Sequence, residues 1–127
     1  MNFYLVKPTI INSEGKTLKR NYAVKSESSV MAEATVMLEL SGADIKEITD
    51  INKKNWIDII SNELGGSWYE VKGQYLNEDD KWIKESYLVQ EFSTKSAEGV
   101  ITDLRNNLEI TGVNLTNIMD YFKQEIN

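Results

Sequence analysis

Near the start of the chain Tyr4, Val6 and Ile10 alternate with Phe3, Leu5, Lys7 and Thr9, and the same period returns in Tyr69, Val71 and Tyr75 against Trp68, Glu70, Lys72 and Gln74. Successive side chains of a strand point to opposite faces, so both stretches predict strands. Turn-forming residues follow at matching places, Asn12-Ser13-Glu14-Gly15 and Asn77-Glu78-Asp79-Asp80, and the chain returns through Leu18, Tyr22, Val24 and through Ile83, Tyr87, Val89. Two hairpins result. Ser28 and Ser93 then stand where an N-cap belongs, and the apolar positions behind them, Val30, Ala34, Met37, Leu38 and Ala97, Val100, Ile101, Leu104, recur at helical spacing. The expectation is a helix covering one face of each hairpin. Ile45 to Ile51 with Trp56 to Ile60, and Ile110 to Leu115 with Ile118 to Phe122, are rich in β-branched and aromatic residues and predict two further short strands in each half. Residues 116–124 are left open between strand and helix.

The two halves correspond residue by residue. Shifting the chain by 65 positions aligns Phe3 to Val36 with Trp68 to Ile101 without a gap, with 11 of 34 pairs identical, and a shift of 62 aligns Glu47 to Ile60 with Glu109 to Phe122, with 6 of 14 identical. Chance gives roughly three identities over the same span. The sequence thus reads as an internal duplication of a β-β-α-β(-β) unit, residues 1–62 and 63–127, joined at the glycine-rich Ser61-Asn62-Glu63-Leu64-Gly65-Gly66-Ser67. A copy of about 60 residues builds only a marginal core. The predicted architecture is therefore an α+β pseudo-twofold single domain, with antiparallel sheets, two helices and both copies packed as one compact body.

Composition narrows the chemistry. Among 127 residues there is no histidine and no cysteine, which removes disulfides, thiolate nucleophiles, zinc-finger patterns and any imidazole proton shuttle. Asp58, Asp120, Glu33, Glu98 and the lysines are what remains for acid–base work, and no nucleophile motif, metal-ligand spacing or phosphate loop accompanies them. The expectation is a protein that is not an enzyme and uses no cofactor and no metal. Glu78-Asp79-Asp80 lacks the alternating oxygen ligands, central glycine and distant glutamate of a calcium loop, and reads as a solvated turn. No apolar run approaches a membrane span and no secretory leader is recognisable, so cytoplasmic residence is expected.

The net charge of −6 argues against a protein that coats duplex phosphates over its whole surface. It is unevenly spread: residues 1–63 carry 8 basic and 9 acidic side chains, while residues 64–127 carry 6 and 11. Against that sign, three lysines recur in both halves, Lys7/Lys72, Lys16/Lys81 and Lys19/Lys84. If Tyr4, Val6, Tyr22 and Val24 face the helix, then Phe3, Lys7, Lys19 and Asn21, and in the second half Trp68, Lys72, Trp82, Lys84 and Ser86, share the other face. Rings interleaved with ammonium groups suit a single strand of nucleic acid, bases stacking on the rings and phosphates following the lysines. Phe3, Lys7, Lys19, Trp68, Lys72, Trp82 and Lys84 are the candidate nucleic-acid-binding residues, with the nearly neutral first half as the favoured side for an anion. A plainer reading makes the lysines solvated sheet residues and buries the rings. The acidic excess supports a different class of function, an inhibitor docking on a basic partner protein or a virion component. The expected assembly is a monomer or homodimer, with no membrane partner.

The motifs aromatic-Tyr-x-Val-Lys (Trp68 to Lys72), Tyr-Leu-Val (Tyr87 to Val89), Ser-x-x-x-Ala-Glu (Ser93 to Glu98) and Ile-Met-Asp-Tyr-Phe (Ile118 to Phe122) resemble a family of small duplicated proteins from Bacteroides-type bacteria and their phages, the domain of unknown function DUF4494. The likeness is fuller in the second half; the first keeps Phe3-Tyr4-Leu5-Val6-Lys7 but loosens Tyr-Leu-Val to Tyr22-Ala23-Val24. It implies a phage or mobile-element setting in a bacterial cell without implying an activity.

Overall fold

A computed structural model describes residues 1–125 and is α+β, with nine strands and two helices among them. The chain forms two compact units, Met1–Lys54 together with the segment from Asn117 onward, and Asn55–Thr116. These units do not coincide with residues 1–62 and 63–127, because the closing strand of each half lies in the other half's unit.

In the first unit β1 (Asn2–Ile11) turns back into β2 (Thr17–Lys19) and β3 (Asn21–Ser26). Thr9 stands opposite Lys19 and Val6 opposite Tyr22, so β2 and β3 keep one register across the break at Arg20. Helix α1 (Ser29–Glu39) follows, and β4 (Asp44–Lys54) pairs antiparallel with β1. The sheet closes with β9 (Ile118–Lys123), which lies parallel to β3, Tyr22 opposite Asp120. Residues 118–123 are therefore a strand. In the second unit β5 (Asp58–Ile60), β7 (Trp82–Glu91), β6 (Ser67–Leu76) and β8 (Glu109–Leu115) lie in that order, with β5 parallel to β7 and α2 (Thr94–Leu104) following β7. Both sheets are mixed, where the sequence predicts antiparallel ones. The short links β4 to β5 and β8 to β9 pass from one unit to the other, so each last strand enters its sheet beside a strand far from it in sequence and parallel to it.

The alternation that predicts the strands also sets the cores. Tyr4, Val6, Tyr22 and Val24 pack with Ala32 and Val36 of α1, and Phe122 of β9 stacks on Tyr22 with ring centroids 5.2 Å apart. Tyr69, Val71, Tyr87 and Val89 pack with Ala97 and Ile101 of α2 and with Leu108. Each fully buried Val or Ile contributes about 1.5–3 kcal/mol of burial. The helices differ from expectation in which residues do this. In α1 the buried side chains are Ala32, Thr35 and Val36, while Val30, Ala34, Met37 and Leu38 are exposed. In α2 Ala97 and Ile101 are buried and Val100 partly so, but Leu104 is exposed. The helical spacing is right in both, but the α1 sequence carries two apolar stripes, and the sheet takes the one made of smaller residues.

Many recurring residues hold the same local bonds. Asn12 Oδ1 accepts from the N–H groups of Glu14 and Lys16 at 3.0 and 2.9 Å, and Asn77 Oδ1 from those of Asp79 and Lys81 at 2.9 and 3.0 Å. The acidic tip is the second of these turns, with Asp80 at φ 56 where the first has Gly15 at φ 78. Ser28 Oγ accepts from Met31 N–H, and Ser93 exchanges bonds with Ser96 in a capping box; such a cap is worth about 1 kcal/mol. Asp58 and Asp120 each accept the N–H of the following residue at 2.8 Å. Glu33 and Glu98 lie beyond the first helical turn, which contains no acidic residue in either helix. Among the described residues no helix is long and apolar enough to cross a membrane.

Candidate functional site

Register assigns the faces. In the second unit Trp68 stands opposite Gln90, Lys72 opposite Ser86, Gln74 opposite Lys84 and Leu76 opposite Trp82. Directly opposed residues share a face, so Trp68, Lys72, Trp82, Lys84 and Ser86 all lie on the side away from α2. That face is open only toward the β6–β7 turn. Trp82 is 55% exposed and Lys72 and Lys84 are exposed, but Trp68 is only 3% exposed and neighbouring Leu88 is fully buried. Trp68 therefore offers no ring to a ligand; the alternation places its face correctly, and packing then closes that end.

A cleft of about 560 Å³ opens on this face, lined by Asn55, Lys72, Gln74, Lys84, Ser86 and Thr111, with Gly73 and Glu85 completing its wall. β8 passes beside Lys72 with a bulge between the Lys72 and Gly73 pairings, which leaves Thr111 as the extra residue. Lys72 Nζ lies 3.5 Å from a Glu70 oxygen, and the Trp56 indole N–H donates to the other oxygen of Glu70 at 2.9 Å. The carboxylate of Glu85 is engaged by Arg105, which also donates to the Tyr87 hydroxyl at 3.2 Å; the hydroxyl in turn donates to Glu85 at 3.0 Å. The Arg105 guanidinium lies 5.2 Å from the Tyr75 ring centroid. Glu85 is thus tied to the helix side of the sheet, and the cleft is left with two ammonium groups, two side-chain amides and two hydroxyls. Such a lining offers two cations together with hydrogen-bond donors and acceptors on its amides and hydroxyls.

Burial, and then the bond to Glu85, raises the Tyr87 pKa above its ordinary value of 10.0. A raised folded pKa favours the neutral phenol, so this stability is complete below pH 10 and falls as pH climbs beyond it. Urea midpoints measured from pH 8 to pH 11 should drop at the alkaline end, and Tyr87→Phe should lessen the drop.

The first unit gathers its candidates less well. Phe3, Lys7 and Lys19 lie on the side away from α1, but Phe3 is half-buried under the Lys25 ammonium, 5.8 Å from its ring centroid, and Lys7 stands opposite Asp50 of β4. Lys19 is exposed at the far end beside Thr9. The cleft holding two of the predicted lysines belongs to the unit with the more acidic sequence. Net charge by half misses this because it sums side chains on both faces. Sequence reasoning also passes over Asn55, Gln74 and Thr111 as cleft residues, although Asn55 and Thr111 both belong to pairs that recur between the halves.

The match to known families covers nearly the whole chain, residues 6–124. The protein belongs to the DUF4494 family. That domain is described as one of unknown function, so membership in DUF4494 brings no activity to the cleft. No curated protein and no solved structure matches the chain.

Proposed function

We propose that the protein is a non-enzymatic binder of single-stranded nucleic acid, using the second unit's sheet face between Trp82 and the cleft. The observation that carries this is the placing of an exposed tryptophan and two exposed lysines on one face around a cleft walled by amides and hydroxyls. Bases stack on Trp82 at about 1–3 kcal/mol each, phosphates follow Lys72 and Lys84, and Asn55, Gln74 and Ser86 meet base edges. We further read the chain as an internal duplication. Matching strand order, the bulge after Lys7 and Lys72, and the common pairing of Tyr22 with Asp120 and Tyr87 with Asp58 support this. In this reading the protein serves replication or recombination of a phage or mobile element in a bacterial cytoplasm.

Fluorescent single-stranded DNA and RNA should bind with an affinity that falls as salt rises. Lys72→Ala with Lys84→Ala should weaken binding and lower the salt slope by about 0.7 per lysine. Trp56 and Trp68 are buried, so quenching of tryptophan emission by the oligonucleotide should vanish in Trp82→Phe. Binding without salt dependence, or quenching unchanged in Trp82→Phe, refutes the assignment.

A further inference from the structure

The outer surface of α1 is apolar without serving the fold. Val30 is 71% exposed, Leu38 67% and Met37 52%; with Ala34 they stand at i, i+4, i+7 and i+8, a continuous stripe on the side away from the sheet. The second unit supplies an internal control. Counted from the caps Ser28 and Ser93, the same positions of α2 are Lys95, Gly99, Thr102 and Asp103. Both helices lie on sheets of the same order and bury the same two positions, Ala32 and Val36 in one, Ala97 and Ile101 in the other. One helix does this with polar or small residues at all four of these positions, so the fold has no need of an apolar stripe there. A contiguous exposed apolar stripe marks an interaction surface, and methionine suits a surface that adapts to its partner.

The surrounding charge says what partner fits. From Ser26 to Ile45 the charged residues are Glu27, Glu33, Glu39 and Asp44, without a lysine or arginine. We propose that α1 docks a basic amphipathic helix of a partner protein, the partner's apolar stripe lying on Val30, Met37 and Leu38 and its lysines or arginines reaching Glu27, Glu33 and Glu39. A second copy of this chain would set like carboxylates against each other. It would also bury little, since a helix of 11 residues is about 16 Å long and a stable interface takes about 800 Å² from each partner. Anionic lipid headgroups meet the same repulsion.

The test uses the full chain and a synthetic leucine–lysine peptide with leucines at i, i+3, i+4 and i+7, followed by backbone amide shifts and by fluorescence anisotropy. Amide shifts should concentrate in residues 29–40. Val30→Lys with Leu38→Asp, which installs the residues of α2, should weaken binding about tenfold or more with helical circular dichroism unchanged. If that pair disturbs folding, Met37→Thr, again the α2 residue, takes its place and should weaken binding in the same direction. Equal binding of a scrambled peptide, equal binding of a peptide with glutamate in place of lysine, or shifts spread over α2 would overturn the proposal. So would a dimer of the free protein that the double substitution dissociates, since a second copy would then be the occupant.

Discussion

A fragment of residues 55–116 is expected to fold alone, whereas fragments 1–62 and 63–127 are not. The first carries a complete sheet, β5-β7-β6-β8, together with α2, the buried set Tyr69, Val71, Tyr87, Val89, Ala97, Ile101 and Leu108, and the Arg105–Glu85 pair. Fragment 1–62 keeps β5 without the β7 it pairs with, and lacks β9. Its β3 would lose one row of hydrogen bonds and Tyr22 the Phe122 ring stacked on it. Fragment 63–127 has the converse fault, with β9 present but no β3. A single core of this size supplies at most about 3–5 kcal/mol, so losing a strand and an aromatic pair removes most of it. Urea titration followed by circular dichroism should give a cooperative transition for 55–116 and none for 1–62. A cooperative transition in 1–62 would mean that the first half closes its own sheet.

The exchange of closing strands is what the sequence conceals. Period two in Tyr4-Val6 and Tyr69-Val71 reports which face of a strand is buried, and the register honours it throughout both hairpins. Nothing in a periodicity reports which neighbour a strand finds. Asp58-Ile59-Ile60 and Asp120-Tyr121-Phe122 align in the sequence, the second open between strand and helix, and both are strands, each beside the returning strand of the other half. Ser61 to Ser67, the glycine-rich joint between the halves, is a built turn leading from β5 into β6, inside one unit.

Legibility of the site follows the same division. Alternation puts Lys72, Lys84 and Trp82 on one face, because a face is a local property. That Trp68 is buried, that a bulge delivers Thr111 to the cleft, and that Glu85 is drawn away by Arg105 are consequences of packing between segments far apart in sequence. Recurrence between the halves is also a weaker functional signal than it looks. Asn12/Asn77, Ser28/Ser93 and Asp58/Asp120 recur because turns, caps and strand entries need them. Among the described residues neither Lys7/Lys72 nor Lys19/Lys84 shows a bond common to both units, and the functional reading rests on these lysines rather than on identity as such.

Gly66→Ala should unfold most of the second unit. Gly66 has φ 114, and a Cβ there would lie 2.7 Å from the Glu91 carbonyl oxygen and 2.9 Å from its carbon. These are backbone atoms of β7, fixed by the pairing of Ser67 with Glu91. The same corner is held by Asn62, whose side-chain amide donates to Glu91 at 2.7 Å and whose N–H donates to Gln90 at 3.0 Å. Neither side can yield cheaply. Positive φ in a residue with a Cβ costs about 1–3 kcal/mol and the collision a further 1–3 or so, which together match the roughly 3–5 kcal/mol that a core of this size supplies. Gly65→Ala separates the two contributions: its φ is 90, but nothing lies within 4 Å of the added Cβ, so only the backbone strain applies. Urea midpoints followed by the emission of buried Trp56 and Trp68 should fall modestly in Gly65→Ala, and in Gly66→Ala the second unit should be largely unfolded before denaturant is added. Equal midpoints for the two variants would show that the turn recedes from β7 at little cost, and the tight seating of residues 61–67 against Glu91 would have to be given up.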